Sequence, residues 1–271
     1  MKIFRNKNSL INEISGLKNL GFIPTMGALH KGHLSLVDKA KKGSKKILVS
    51  IYVNTKQFNS KKELKKYPRS LDQDIDLLKK KKVDYLYVPD DKDIHSLKVK
   101  KSIYLDKFSR ELCGKFRPGH FKAVVDIVNK FLIIIKPKKI YLGMKDFQQL
   151  SLIKLHIAHR NIATKLIACP TIRDTGGLAL SSRNNTLKNY QIAAAGMIYS
   201  YIKKNKKNIL YKILNNKKTE IINNLIKLGA QKVEYIECLN IKNLEFSKNT
   251  RTNFNVFVAY YLNDIRLIDN L

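Results

Sequence analysis

The chain has 271 residues, of which 53 are basic and 21 acidic, for a formal charge of +32, and 44% are apolar. That balance excludes a disordered polar tail or a collagen-like repeat, and the length accommodates one large or two ordinary domains with a sizeable core. Lysines are scattered in short runs such as Lys79 to Lys82, mostly at the ends of helix-like segments. This describes a solvated basic surface rather than a block built for a polyanion, so no specific nucleic-acid partner is expected.

Three cysteines, Cys113, Cys169 and Cys238, lie far apart without a C-x-x-C pair. Neither a disulfide framework nor a zinc site is expected, and a reducing cytoplasm fits best. Polar residues follow Met1 to Asn6, and no uninterrupted apolar stretch approaches the roughly 18 residues that a membrane span requires. The expected protein is neither secreted nor membrane-bound.

In chain order, strand-length apolar runs occur at Gly21 to Pro24, Ile47 to Val53, Val83 to Val88, Lys139 to Leu142 and Lys165 to Ala168. Amphipathic segments alternate with them. Leu71, Ile75 and Leu78 repeat at helical spacing behind Ser70, a candidate N-cap; Val124, Ile127, Val128, Phe131, Leu132 and Ile135 do the same before Pro137. Alternation of this kind predicts an α/β domain with a doubly wound, Rossmann-like parallel sheet over residues 1–175. Beyond Gly176 and Gly177 the pattern changes to helices near Lys188 to Lys204 and Lys217 to Leu228, then strands at Val233 to Leu239, Asn253 to Leu262 and Ile265 to Ile268. A smaller α+β domain over residues 176–271 is expected.

Two stretches carry chemistry. Met26-Gly27-Ala28-Leu29-His30-Lys31-Gly32-His33 joins the first long strand to a helix. A helix start beside small residues can receive phosphate on free backbone amides, and His30 and His33, three apart, can both face it. Neither G-x-G-x-x-G nor the P-loop pattern is present. The second stretch, Gly177-Leu178-Ala179-Leu180-Ser181-Ser182-Arg183-Asn184, offers paired hydroxyls and a guanidinium to phosphate oxygens, or else forms a helix-capping turn.

Together with Val53-Asn54-Thr55-Lys56-Gln57-Phe58, Tyr67-Pro68-Arg69, Arg117-Pro118-Gly119-His120-Phe121 and Gly143-Met144-Lys145-Asp146-Phe147-Gln148-Gln149-Leu150, these blocks stand in an ordered set across residues 20–185. In that order they resemble the pantoate–β-alanine ligases of the nucleotidyltransferase superfamily. The resemblance implies ATP-dependent condensation of pantoate with β-alanine through a pantoyl adenylate, with magnesium on the ATP phosphates and a homodimeric assembly. It implies His33, His30 and Lys145 as the groups acting on phosphate, with Met26 to His33, Gly143, Met144, Lys145, Asp146, Ile172, Leu180, Ser181, Ser182 and Arg183 around ATP. Gln57 and Gln149, with Asn54 nearby, would hold pantoate, since amides both donate and accept. Closure of the smaller domain over ATP is a further expectation.

The chain departs from the family pattern at Thr55, where Pro is usual, at Lys31 and Met144, where acidic residues are usual, and at Gly176, where Asp is usual. None of these is a side chain assigned to chemistry. Arg117 and His120 either approach the anionic substrate or cap their own loop. The rival readings are another adenylyl- or cytidylyltransferase of the superfamily, since such a nucleotide site does not select the second substrate, and a basic nucleic-acid-binding module.

Overall fold

The computed structural model describes residues 1–97, 99, 102–249 and 253–271. The chain divides into two compact units, Met1–Ser109 with Arg117–Thr171, and Arg110–Phe116 with Ile172–Leu271.

In the first unit six strands, β1 (Lys2–Phe4), β2 (Leu20–Thr25), β3 (Lys46–Ile51), β4 (Tyr85–Tyr87), β5 (Lys139–Gly143) and β6 (Lys165–Cys169), form a parallel sheet in the order β1-β4-β3-β2-β5-β6. Successive residues of β2 face opposite sides, and both sides are covered. Phe22 meets Phe131 of helix His120–Ile135 edge-on at 5.6 Å, while Ile23 packs with Leu36, Val37 and Ala40 of helix Lys31–Gly43. Burying each large apolar side chain in this way stabilises by about 1.5–3 kcal/mol, which is why the central strands read as continuous apolar runs.

From β2 the chain steps to β3 on one side and later to β5 on the other, so the order reverses between β2 and β5. Their pairing extends only over Gly21 and Phe22, so Pro24, which has no amide to donate, lies past the last β5 partner. The carboxyl ends of β2 and β5 therefore diverge at the point where open α/β sheets bind ligands.

The second unit carries the antiparallel sheet β7 (Lys232–Asn240), β8 (Phe254–Leu262) and β9 (Ile265–Asn270) and the helices Asn189–Lys204, Lys206–Leu214 and Lys218–Lys227. Ile198, Leu210, Ile221, Leu225, Ile236 and Val258 fill its core.

Several details differ from the sequence reading. The compact units divide at Thr171/Ile172 rather than after residue 175, and residues 110–116 belong to the second unit. They do so through contact: Cys113 Sγ lies 3.0 Å from Tyr235 Oη, and Phe116 stacks on Tyr235 at 5.9 Å. Strand β1 and helix Lys206–Leu214 were not anticipated, the first because three residues carry no periodicity. The expected strand over 83–88 is ordered as such only at Tyr85–Tyr87. Ser70 occupies an N-cap position without bonding the helix amides.

Candidate active site

The loop after β2 leaves the strand through two left-handed residues, Gly27 at φ 78° and Ala28 at φ 50°. Glycine adopts this conformation freely, and a side chain at 27 would meet Asp74 Oδ2 at 2.9 Å; Ala28 is held there against its preference. The holding group is the buried Asp74 carboxylate, which accepts the N–H of Ala28 at 2.9 Å and of Leu29 at 2.7 Å. Asp74 lies on helix Leu71–Lys80, and its carboxyl is pushed up by burial, against the lowering effect of these donors and of the Ser70 hydroxyl.

His30 then caps helix Lys31–Gly43. Its Nδ1 accepts the N–H of Gly32 at 3.1 Å, and its own N–H is donated to Nδ1 of His33 at 3.4 Å, the two rings lying 4.1 Å apart. Because each Nδ1 accepts a backbone proton, each neutral ring carries its own proton on Nε2. Burial lowers His30 to about 4, helped by the positive Lys145; burial lowers His33 to about 3, helped by His30. The pair presents uncharged N–H donors at neutral pH.

This geometry corrects one expectation. Five of the loop amides are already taken: Gly27 N–H is donated to Thr25 Oγ1, Ala28 and Leu29 to Asp74, His30 to His33, and Gly32 to His30.

Lys145 and Asp146 follow β5 in a short helical turn, with Lys145 Nζ 3.5 Å from Asp146 Oδ1. Both act on the imidazoles, Lys145 lowering and Asp146 raising their proton affinity, so the β2 and β5 loops share one electrostatic neighbourhood. Gly143 ends β5 and Met144 opens the turn.

Gln57 follows β3, buried in the turn Thr55–Gln57, with its Nε2 against Met26 Sδ at 2.6 Å. Asn54, also buried, donates from Nδ2 to Ala123 O at 3.1 Å and to Gln57 Oε1 at 3.4 Å, so it braces Gln57. Arg117 and His120 both hold the loop. The Arg117 guanidinium pairs with both oxygens of Glu63 at 3.2 Å and reaches Gln57 O at 3.3 Å, and His120 Nδ1 lies 2.7 Å from the same carbonyl. Burial and the Arg117 charge lower His120 to about 4, which leaves it neutral; its Nδ1 proton is donated to that carbonyl.

Of the adjacent glutamines after β5, Gln148 is buried and donates to Phe108 O at 2.7 Å, whereas Gln149 is half-buried. A cavity of about 260 Å³ opens beside the β2 loop, lined in part by Met26, Gly27, Tyr52, Arg69 and Asp74.

In the second unit, residues 172–180 form a tight turn in which Leu180 N–H is donated to Ile172 O at 2.9 Å. Arg173 anchors it, pairing with both Asp269 oxygens at 2.6 and 2.8 Å, donating to Gly177 O and lying 4.3 Å over the Tyr199 ring. Ser181 caps the helical turn Ser182–Thr186 by accepting from Arg183 N–H, Ser182 is buried, and Arg183 is half-buried. The capping role expected for this stretch is thus formed, and Ser181 Oγ retains its own proton.

Sequence reasoning missed Asp74. Its signal was an acidic residue on the apolar face made by Leu71, Ile75 and Leu78.

A parallel sheet whose switch point gathers two neutral imidazoles, a lysine and paired amides on successive loops defines a nucleotide-binding α/β enzyme that handles an anionic second substrate. The model of the pantoate–β-alanine ligase family matches residues 2–271, and the chain belongs to that family. The pantothenate synthetase of Francisella tularensis subsp. novicida is 39% identical over 268 residues, spanning 97% of this chain and 92% of that one. Among solved structures, a pantoate–β-alanine ligase from Francisella tularensis, complexed with β,γ-ATP and β-alanine, superposes with a TM-score of 0.82 at 38% identity, covering 100% of this chain and 97% of that one. A pantothenate synthetase from Thermus thermophilus gives 0.90 at 27% identity, covering 100% and 99%.

Proposed function

We propose that this enzyme condenses pantoate with β-alanine at the expense of ATP, releasing AMP and pyrophosphate. The observation that carries the reading is the convergence of the His30–His33 pair, Lys145 and Gln57 on loops after β2, β5 and β3. Membership of the ligase family, and the ATP and β-alanine named for its Francisella relative, support it.

A carboxylate and an amine do not form an amide in water unless the carboxylate is first given a leaving group. In the first step the pantoate carboxylate attacks the α-phosphorus of ATP and pyrophosphate departs; in the second the β-alanine amine attacks the acyl carbon of pantoyl adenylate and AMP departs. Negative charge builds on phosphate oxygens in the first step, so positioning and charge stabilisation dominate. His33 and His30 donate Nε2–H to those oxygens without carrying charge themselves, and Lys145 supplies the positive charge. Gly143 and Asp146 face the nucleoside, and Met144 flanks it.

Gln57 and Gln149 bond the hydroxyl and carboxylate of pantoate, with Asn54 acting through Gln57. From the second unit, Ser181, Ser182 and Arg183 are assigned to phosphate and the backbone at Ile172 and Leu180 to the base, on the strength of the resemblance. Among the described residues no group of three His, Cys, Asp or Glu side chains converges as a metal cage. A magnesium ion held mainly by phosphate and water suits such a donor set, and it would neutralise the triphosphate.

The enzyme is proposed to act as a homodimer in a reducing cytoplasm, where its three buried thiols stay free. Among the described residues no helix is long and apolar enough to cross a membrane.

The test is AMP release from Mg-ATP with pantoate and β-alanine together and with each omitted in turn. Release that requires both is expected. Turnover only with another acceptor would reject the assignment of the second substrate.

A further inference from the structure

Two successive N–H groups in a left-handed turn form a concavity that attracts an anion, and phosphate is the usual occupant. Here the Ala28 and Leu29 amides that form it point at Asp74, which reaches in from helix Leu71–Lys80 and is 1% exposed. The carboxylate bridges them at 2.9 and 2.7 Å and is itself bonded by Ser70. Immediately downstream His30 takes up its capping position and orients His33.

We propose that Asp74 is a positioning residue for the phosphate-contacting histidines: an internal anion that fills the backbone nest, holds Ala28 left-handed and so aims the His30–His33 pair. Substrate phosphate is thereby directed away from the loop amides and onto the imidazole Nε2–H groups. The inference rests on the reading that these histidines receive ATP.

Asp74→Asn keeps the shape but leaves one of the two amides facing an NH2 group. Glycine adopts the left-handed conformation without help, so Ala28→Gly removes the need for the carboxylate to enforce it. The experiment is a double-mutant cycle of these substitutions, read as kcat and KM for ATP and pantoate, with thermal unfolding in parallel.

Asp74→Asn is expected to lower kcat/KM for ATP at least tenfold while the pantoate KM stays within twofold. Ala28→Gly should then improve the Asp74→Asn enzyme at least threefold relative to its effect in the unaltered enzyme. Asp74→Asn activity within twofold of the starting enzyme, or identical Ala28→Gly factors in both backgrounds, overturns the proposal. Should Asp74→Asn not fold, Ser70→Ala decides: a loss of two- to fivefold in kcat/KM for ATP is expected, and no change overturns it. His33→Ala in the same assay separates the two levels. Near-normal activity there rejects the phosphate reading itself, whereas an inactive His33→Ala beside a normal Asp74→Asn rejects only the role of Asp74.

Discussion

His33 accepts the backbone N–H of His30 at Nδ1, while the His30 ring caps the first turn through Gly32, so each histidine sets the other's neighbourhood and both protons reside on Nε2. The rings work as neutral donors, with proton affinities lowered to about 4 and about 3, mainly by burial.

Nitrogen-detected NMR should therefore find both imidazoles as Nε2–H tautomers from pH 8 down to pH 5 in the free enzyme. A ring that takes up its proton near pH 6.5 would contradict the arrangement. The sign for stability follows: the unfolded chain binds these protons from about pH 6.5 downward and the folded one does not, so stability is full above that pH and lost as it falls toward 4. His120, also lowered to about 4, adds to the same trend, and the melting temperature should decline across this window.

On the proposed function, removing His33 removes a donor to the reacting phosphate. His33→Ala should cut turnover by about 100- to 1000-fold, the usual weight of one donor aimed at developing charge. Its melting temperature should shift only modestly, because the lost cap is worth roughly 1 kcal/mol. Turnover within a few fold of normal would refute the role.

The neighbouring glutamines after β5 should behave oppositely. Gln149→Ala should raise the pantoate KM by roughly 10- to 100-fold, the weight of a hydrogen bond to a charged group, with little effect on stability. Gln148→Ala leaves Phe108 O without its donor and should cost about 1–3 kcal/mol in denaturant unfolding. Equal effects of the two on pantoate saturation would remove the distinction.

Arg117 ties the Gln57 carbonyl to Glu63 and Asn59, so its contribution is to the loop. Arg117→Ala should raise the pantoate KM roughly tenfold, in line with one charge-assisted bond lost at Gln57, and leave the ATP KM nearly unchanged. An unaltered pantoate curve would show that the Gln57 loop holds without the brace.

In the second unit the Arg173–Asp269 pair is largely shielded, with side chains 18% and 10% exposed. Asp269→Ala strands the guanidinium and should destabilise that unit by about 3 kcal/mol, measured by urea unfolding. A change below 1 kcal/mol would mean that Tyr199 and the carbonyls of Gly177 and Asn270 suffice to hold Arg173.

Much of this was legible in one dimension. The alternation of apolar runs and amphipathic segments determined the parallel sheet and its covering helices, because burial on both faces leaves no polar alternation in a central strand. The ordered blocks from Pro24 to Asn184 determined the family, and the spacing of His30 and His33 determined that one helical turn would bring them together. Tertiary structure alone decided which polar groups face one another across long separations. Asp74 reaches amides 45 residues or more away, Arg117 pairs with the distant Glu63, and residues 110–116 pack against Tyr235. Hydrophobic periodicity reports which face of an element is buried, but it carries no record of which buried donor meets which acceptor. That pairing is set by the crossover connections that bring distant loops to the same edge of the sheet.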